Sequence, residues 1–278
     1  MAALTAFAEP RPDCSSAALA LPPRPASAPG GAEFAHRIAG LSGPARDTLI
    51  TEEVRAGNLP PHLRHARAVT LSSPRAGSTA RVTICVLPDY LAIGSDEDYL
   101  LVPLGLQPAL SLAAEFGFAL PTRRIVDAIY RQAVLRMAPR PLPASDEMRS
   151  TAYVALHNDL VRQQRMQAAI RLDELAAGHK KDLVLTPRLE TTPGRVAIYG
   201  WHRADGSPIQ PLSLVHGARY ADYSHGVRFV SRTAWVDGVP RSLEDLLADD
   251  ATADIVSDEG AMRPSIGIEA MTASTSPP

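Results

Sequence analysis

The chain predicts an α+β fold: a single domain of antiparallel strands with several packed helices. Two observations carry this. Apolar residues at helical spacing fall in blocks (32–56 and 107–175), and short strand-like runs fall in others (66–102 and 178–236). The blocks do not alternate element by element, which argues against a doubly wound parallel sheet. Composition allows a core, since 45% of the 278 residues are hydrophobic and 21% are charged.

Met1 to Gly31 is rich in Ala, Pro and Ser, with prolines at 10, 12, 22, 23, 25 and 29. Such a stretch predicts a disordered leader over 1–31. Ala2-Ala3-Leu4-Thr5-Ala6-Phe7-Ala8 has the look of a secretory apolar region ending in Ala-x-Ala, without its basic start. A truncated signal peptide and a plain tail on a cytosolic protein both remain open. The domain is expected over 32–262, followed by a mobile Ser/Thr/Pro-rich tail over 263–278.

Phe34, Ile38 and Leu41, then Leu49, Ile50 and Val54, mark two helices, with Ser42 as a cap for the second. Gly57-Asn58 and Pro60-Pro61 end it. Runs 66–71 and 81–87 predict a strand pair, with Cys85 a small buried hydrophobe. Tyr90–Ile93 and Tyr99–Val102 flank the turn Gly94-Ser95-Asp96-Glu97-Asp98, a second hairpin. Helices follow at 107–117 and 122–137, the second with a stripe of Ile125, Val126, Ile129, Tyr130, Val134 and Leu135. A long helix is expected over 152–175. Strands are expected at 182–186, 195–201, 226–230 and 233–236, with a loop through Pro208-Ile209-Gln210-Pro211-Leu212. Ser242 starts a short helix.

Several function classes drop out. Net charge is −2, from 28 basic and 30 acidic residues, so no overall basic footprint for nucleic acid exists. No apolar run approaches the ~18 residues of a transmembrane helix. Phosphate-loop and dinucleotide fingerprints are absent. Two cysteines exclude a cysteine-based zinc cluster. The acidic residues Asp89, Asp96, Glu97 and Asp98 lack calcium-loop spacing and are expected at a polar hairpin tip.

Histidine placement is the main clue to chemistry. Of eight histidines, His179, His202, His216 and His225 fall on or beside predicted strands. Strand ends fix a backbone while leaving a side chain open to a loop. In one reading His202, His216, His225 and Asp222 hold zinc and activate a water. In a second, metal-free reading, Ser224, His225 and Asp182 form acid/base or nucleophilic machinery. Ser224 and His225 are neighbours, so on a strand they face opposite sides and do not pair with each other. In a third, the histidines hydrogen-bond loop carbonyls, Lys180-Lys181 is a solvated face, and Trp201, Tyr220 and Tyr223 are ordinary packing.

Two stretches resemble an uncharacterised bacterial family. One is Pro88-Asp89-Tyr90-Leu91-Ala92-Ile93-Gly94-Ser95-Asp96 with Leu120-Pro121-Thr122. The other joins Lys180-Lys181-Asp182, Tyr199-Gly200-Trp201-His202, Pro208-Ile209-Gln210-Pro211-Leu212, Asp222-Tyr223-Ser224-His225-Gly226, Val227-Arg228 and Ser257-Asp258-Glu259-Gly260. The resemblance carries no activity, and it implies export.

The expectation is a hydrolase outside the cytoplasm, acting on amide bonds of a peptide or cell-wall fragment. Asp182 would orient a histidine or serve as base. Arg228 and Lys181 would hold a substrate carboxylate or stabilise an oxyanion. The alternative is a non-catalytic module binding glycan or peptide, with Trp201, Tyr220 and Tyr223 as stacking platforms.

Overall fold

The computed structural model describes Cys14 and residues 21–262. The class is the predicted one, α+β. Helices Gly31–Arg37 and Gly43–Arg55 turn Phe34, Ile38, Ile50 and Val54 into the core. Ser42 occupies the cap position of the second, but its side chain makes no capping bond. Helix Arg123–Gln132 ends earlier than its stripe predicts. The next residues form a short strand, Leu135–Arg136, parallel to Ala176–Ala177. Helix Thr151–Ala168 stops where Ala169 turns left-handed at φ 53°.

Two sheets matter for the site. The larger runs in the order Arg67–Ser72, Arg81–Val86, Val230–Val236 and Val239–Ser242, with Phe118–Ala119 added beside Val230–Val236. Its first pair is the predicted hairpin, in the register Val69↔Ile84. Of the expected 226–230 and 233–236 pair, Val230–Val236 is a single strand paired with Arg81–Val86 and Val239–Ser242, and Gly226 belongs to the separate short strand His225–Gly226. The smaller sheet runs in the order Pro208–Ser213, Ile198–His202, Lys181–Leu183 and His225–Gly226. The expected 208–212 loop is thus its edge strand, where Pro208 and Pro211 cost least because an edge leaves some N–H groups unpaired anyway. The pairing of Lys181–Leu183 with His225–Gly226 is parallel, a departure from the all-antiparallel expectation.

Two expectations about the chain start need correction. Cys85 is joined to Cys14 in a disulfide with Cα atoms 5.4 Å apart, so it is not an unpaired hydrophobe. Cys14 and Leu21 are also buried, ahead of the expected start of order at Ala32. Prolines bring carbonyls without N–H groups, and arginines satisfy them: Arg64 donates to Pro22 O, and Arg24 to Pro29 O and to Asn58 Oδ1.

The sheet edge carrying Lys181 and His225 rests on a buried polar seam. Arg165 Nη1 lies 2.5 Å from Asp89 Oδ2, and His179 Nε2 lies 3.0 Å from Asp89 Oδ1. These groups are almost fully enclosed; burial pushes the Asp89 carboxyl up, but His179, Arg165 and Arg228 outweigh it and hold it below its usual range, while burial lowers the His179 pKa. Gly226 is required here, since a Cβ would lie 2.6 Å from the Tyr90 ring and 2.8 Å from Lys180 Cβ.

Candidate active site

Strand Lys181–Leu183 and the segment 222–228 place most of the predicted residues, but they assign them different jobs. Asp182 does not orient a histidine. Its Oδ2 accepts the Tyr90 hydroxyl at 2.8 Å, and burial raises its pKa to about 6. Arg228 is fully buried, and it donates to Leu87 O at 2.8 Å and Ala176 O at 2.7 Å. Its guanidinium lies 4.2 Å from the Tyr90 ring centroid. It clamps three chain segments and is unavailable to a substrate carboxylate. Lys180 is likewise no solvated residue. It is 1% exposed, and Nζ donates to Tyr223 O at 2.6 Å beside His157 Nδ1 at 3.1 Å. Burial lowers its pKa to about 7.

His202 leaves the predicted metal set. Its Nε2 is 3.0 Å from Asp127 Oδ1, and its ring stacks on Tyr130 at 4.4 Å. Asp127 also accepts the Tyr199 hydroxyl at 2.9 Å. The helix bearing Asp127 and Tyr130 packs against strand Ile198–His202 and captures the imidazole there. Among the described residues no group of three or more His, Cys, Asp or Glu side chains is arranged to hold a metal ion.

The remaining candidates do converge. His225 and Lys181 are Cα partners in the parallel pair, so their side chains leave the same face. His225 Nε2 is 3.8 Å from Asp222 Oδ2. His225 and His216 have ring centroids 6.3 Å apart, and Tyr220 lies 5.6 Å from His225. His216 stacks on Tyr220 at 3.9 Å with planes 7° apart, forming a half-buried cover. Lys181 Nζ sits 5.0 Å from the centroid of Trp201.

Backbone geometry puts Trp201 there. Gly200 has φ 110° and Trp201 has φ 57°, two successive left-handed residues in a strand. A bulky non-glycine residue in that region stores roughly 1–3 kcal/mol and concentrates at functional sites. The Trp201 indole Nε1 is buried and has no hydrogen-bond partner among the described residues. The same holds for both ring nitrogens of His225.

Electrostatics divides the pair. Asp222 accepts from Ser224 N at 2.8 Å, Ser224 Oγ at 2.6 Å and Tyr220 Oη at 3.1 Å. Burial pushes the Asp222 carboxyl up, but His225, the Ser224 hydroxyl and Lys181 outweigh it, so it stays below its ordinary value. Burial pulls His225 down to about 4 despite Asp222. At neutral pH the site therefore holds an ionised carboxylate beside a neutral imidazole. Burial also lowers Lys181, against the pull of Asp222.

Ser224 is not a nucleophile poised on a histidine, since its hydroxyl is spent on Asp222. Sequence reading missed Arg149, whose guanidinium lies 5.4 Å from the Tyr220 ring. It also missed Asp127, Tyr90 and His157. Each arrives from a distant helix or hairpin, and no local spacing marks them. No family model, no curated protein and no solved structure matches this chain.

Proposed function

We infer that this chain is a hydrolase in which the His225–Asp222 pair acts as acid and base on an amide bond of a peptide or cell-wall fragment, outside the cytoplasm. The observation that carries the reading is the imidazole of His225, fully enclosed, with both nitrogens unpartnered beside an ionised carboxylate. Leaving buried polar atoms unpaired costs roughly 1–3 kcal/mol each, and perturbed groups of this kind concentrate at reactive sites. The Cys14–Cys85 disulfide supports an oxidising compartment.

In the proposed reaction His225 takes a proton from water, and the water oxygen attacks the amide carbon. Negative charge develops on the carbonyl oxygen, where the Lys181 ammonium and the Trp201 indole N–H stabilise it. Asp222 stabilises the imidazolium. The imidazolium then gives its proton to the leaving nitrogen as the C–N bond breaks. The His216–Tyr220 stack covers His225. The backbone beneath is tied down, with Val196 N donating to His216 O and Ala218 N to Gly194 O.

The second reading, a glycan- or peptide-binding module, would rest on the half-buried His216–Tyr220 stack, since Trp201 and Tyr223, edge-on at 6.5 Å, are buried and offer no stacking platform. The deciding experiment measures amino groups released from a peptide pool and from peptidoglycan fragments by the wild type and His225→Gln. Release by the wild type alone supports the hydrolase. Binding without release, weakened more by Tyr220→Ala than by His225→Gln, moves the assignment to the module.

A further inference from the structure

Asp222 sits between two backbone carbonyls that buried basic side chains hold from distant parts of the chain. On one side Arg46 Nη2 donates to Ala221 O at 3.0 Å. On the other, Lys180 Nζ donates to Tyr223 O at 2.6 Å. Arg46 comes from helix Gly43–Arg55, and Lys180 directly precedes strand Lys181–Leu183. Both are fully buried. A buried basic group is costly unless it is paired, yet among the described residues neither makes an ion pair in contact. Burial lowers the pKa of each, and carboxylates oppose it through space: Asp47 and then Asp222 for Arg46, Asp222 and then Asp89 for Lys180. Arg149 adds to the lowering of Arg46. Asp222 is the carboxylate the two side chains share.

Their other contacts fix the clamps themselves. Arg46 Nη1 donates to Arg149 O at 2.8 Å, and Lys180 Nζ lies 3.1 Å from Nδ1 of His157, on helix Thr151–Ala168. Burial, helped by the charges of Lys180 and His179, holds His157 well below its ordinary pKa, so the imidazole is neutral and Nδ1 accepts. Nζ keeps N–H donors in either protonation state. The segment is tied at two further points, Tyr223 N to Met148 O at 3.0 Å and Lys181 N to Ser224 O at 2.8 Å. Ser224 and Tyr220 aim the Asp222 carboxylate from within the segment. Arg46 and Lys180 set where that segment stands.

We propose that Arg46 and Lys180 are positioning residues that hold Asp222 in place against His225 by clamping the carbonyls on either side of it. Their effect on turnover rests on the reading of His225 as acid and base, whereas the clamp itself does not. A misplacement of ~1 Å can cost about 10²-fold in rate. Loss of a clamp therefore falls on kcat and leaves KM.

The test uses the full chain with Lys180→Met and Arg46→Met, and thermal melts report that the variants fold. Amide hydrogen exchange is followed by NMR at Ser224 and His225, whose N–H groups bond Asp222, and at Val126 in helix Arg123–Gln132 as a remote control. Each variant speeds exchange at Ser224 and His225 at least tenfold more than at Val126. Each also lowers kcat for amine release at least tenfold, with KM within twofold. Should a methionine variant fail to fold, Lys180→Gln or Arg46→Lys, which keep a side-chain donor, takes its place in the same comparison. Exchange that rises equally at the segment and at Val126 marks ordinary core residues and overturns the proposal. So does an active variant whose kcat is unchanged. Selective exchange together with no amine release by the wild type keeps the clamp and discards the hydrolase.

Discussion

The Ser224 hydroxyl donates to Asp222 Oδ1 at 2.6 Å, so the serine next to His225 serves the carboxylate and not the imidazole. Ser224 and Tyr220 together fix Asp222 beside a histidine whose ring nitrogens have no hydrogen-bond partner among the described residues.

That bond separates two substitutions at adjacent positions. His225→Gln is expected to lower amide hydrolysis by about 10²–10⁴-fold, the range for a lost acid/base group. Ser224→Ala removes a hydrogen bond to a charged group and costs about 1.5–3 kcal/mol of stability, with turnover reduced far less. Paired denaturation curves and initial rates check this. A Ser224→Ala enzyme as inactive as His225→Gln would restore the serine as nucleophile.

The rate should report the depressed histidine. A base must be unprotonated, and His225 is held at about 4, so kcat/KM is flat to about pH 5 and falls tenfold per unit below 4. An acid limb near 6.5 would mean that His225 is not the base.

Stability carries the same signature. His225 has a folded pKa of about 4 against 6.5 unfolded, so the unfolded chain binds more protons between them. Its contribution is complete above pH 6.5 and is lost as pH falls to about 4, on the order of 3 kcal/mol in total. Asp47 and Asp182, each raised to about 6, work in the opposite sense over part of this range. The readout is therefore the difference between the wild type and His225→Gln, which should shrink as pH falls from 6.5 to 4.

The Arg165–Asp89 pair predicts a different penalty. Arg165→Met leaves the Asp89 carboxylate in the core without its guanidinium partner, with only the His179 imidazole and the Tyr90 N–H in hydrogen-bond contact, at a cost of about 3–5 kcal/mol. Urea unfolding measures it, and a loss under 1 kcal/mol would show that the pair is dispensable.

Reduction tests the tether. The Cys14–Cys85 bridge spans a sequence separation of 71, for which the expected stabilisation is about 2–5 kcal/mol. Cys14→Ser should lower the melting temperature of the oxidised protein to that of the reduced wild type. Identical melting of reduced and oxidised wild type would contradict the bridge.

Some of this was legible in the residues. Alternating and continuous apolar runs placed the hairpin Arg67–Ser72 with Arg81–Val86, because strand burial writes itself locally with a period of two. Ser242 announced its helix through its own cap, donated by Glu244 N and Asp245 N. The cluster His216, Asp222 and His225 was visible as polar and aromatic density within one short stretch. Tertiary structure alone decided the rest. His202 looks like its neighbours in sequence, but helix Arg123–Gln132 brings Asp127 to it. Lys180 and Lys181 are adjacent charges, yet one is sealed under Tyr223 and the other lies over Trp201. Arg228 reads as a substrate clamp until Leu87 and Ala176 take its donors. A side chain's chemistry belongs to the residue, but its partners and its burial belong to segments a hundred residues away, and those set its charge and its role.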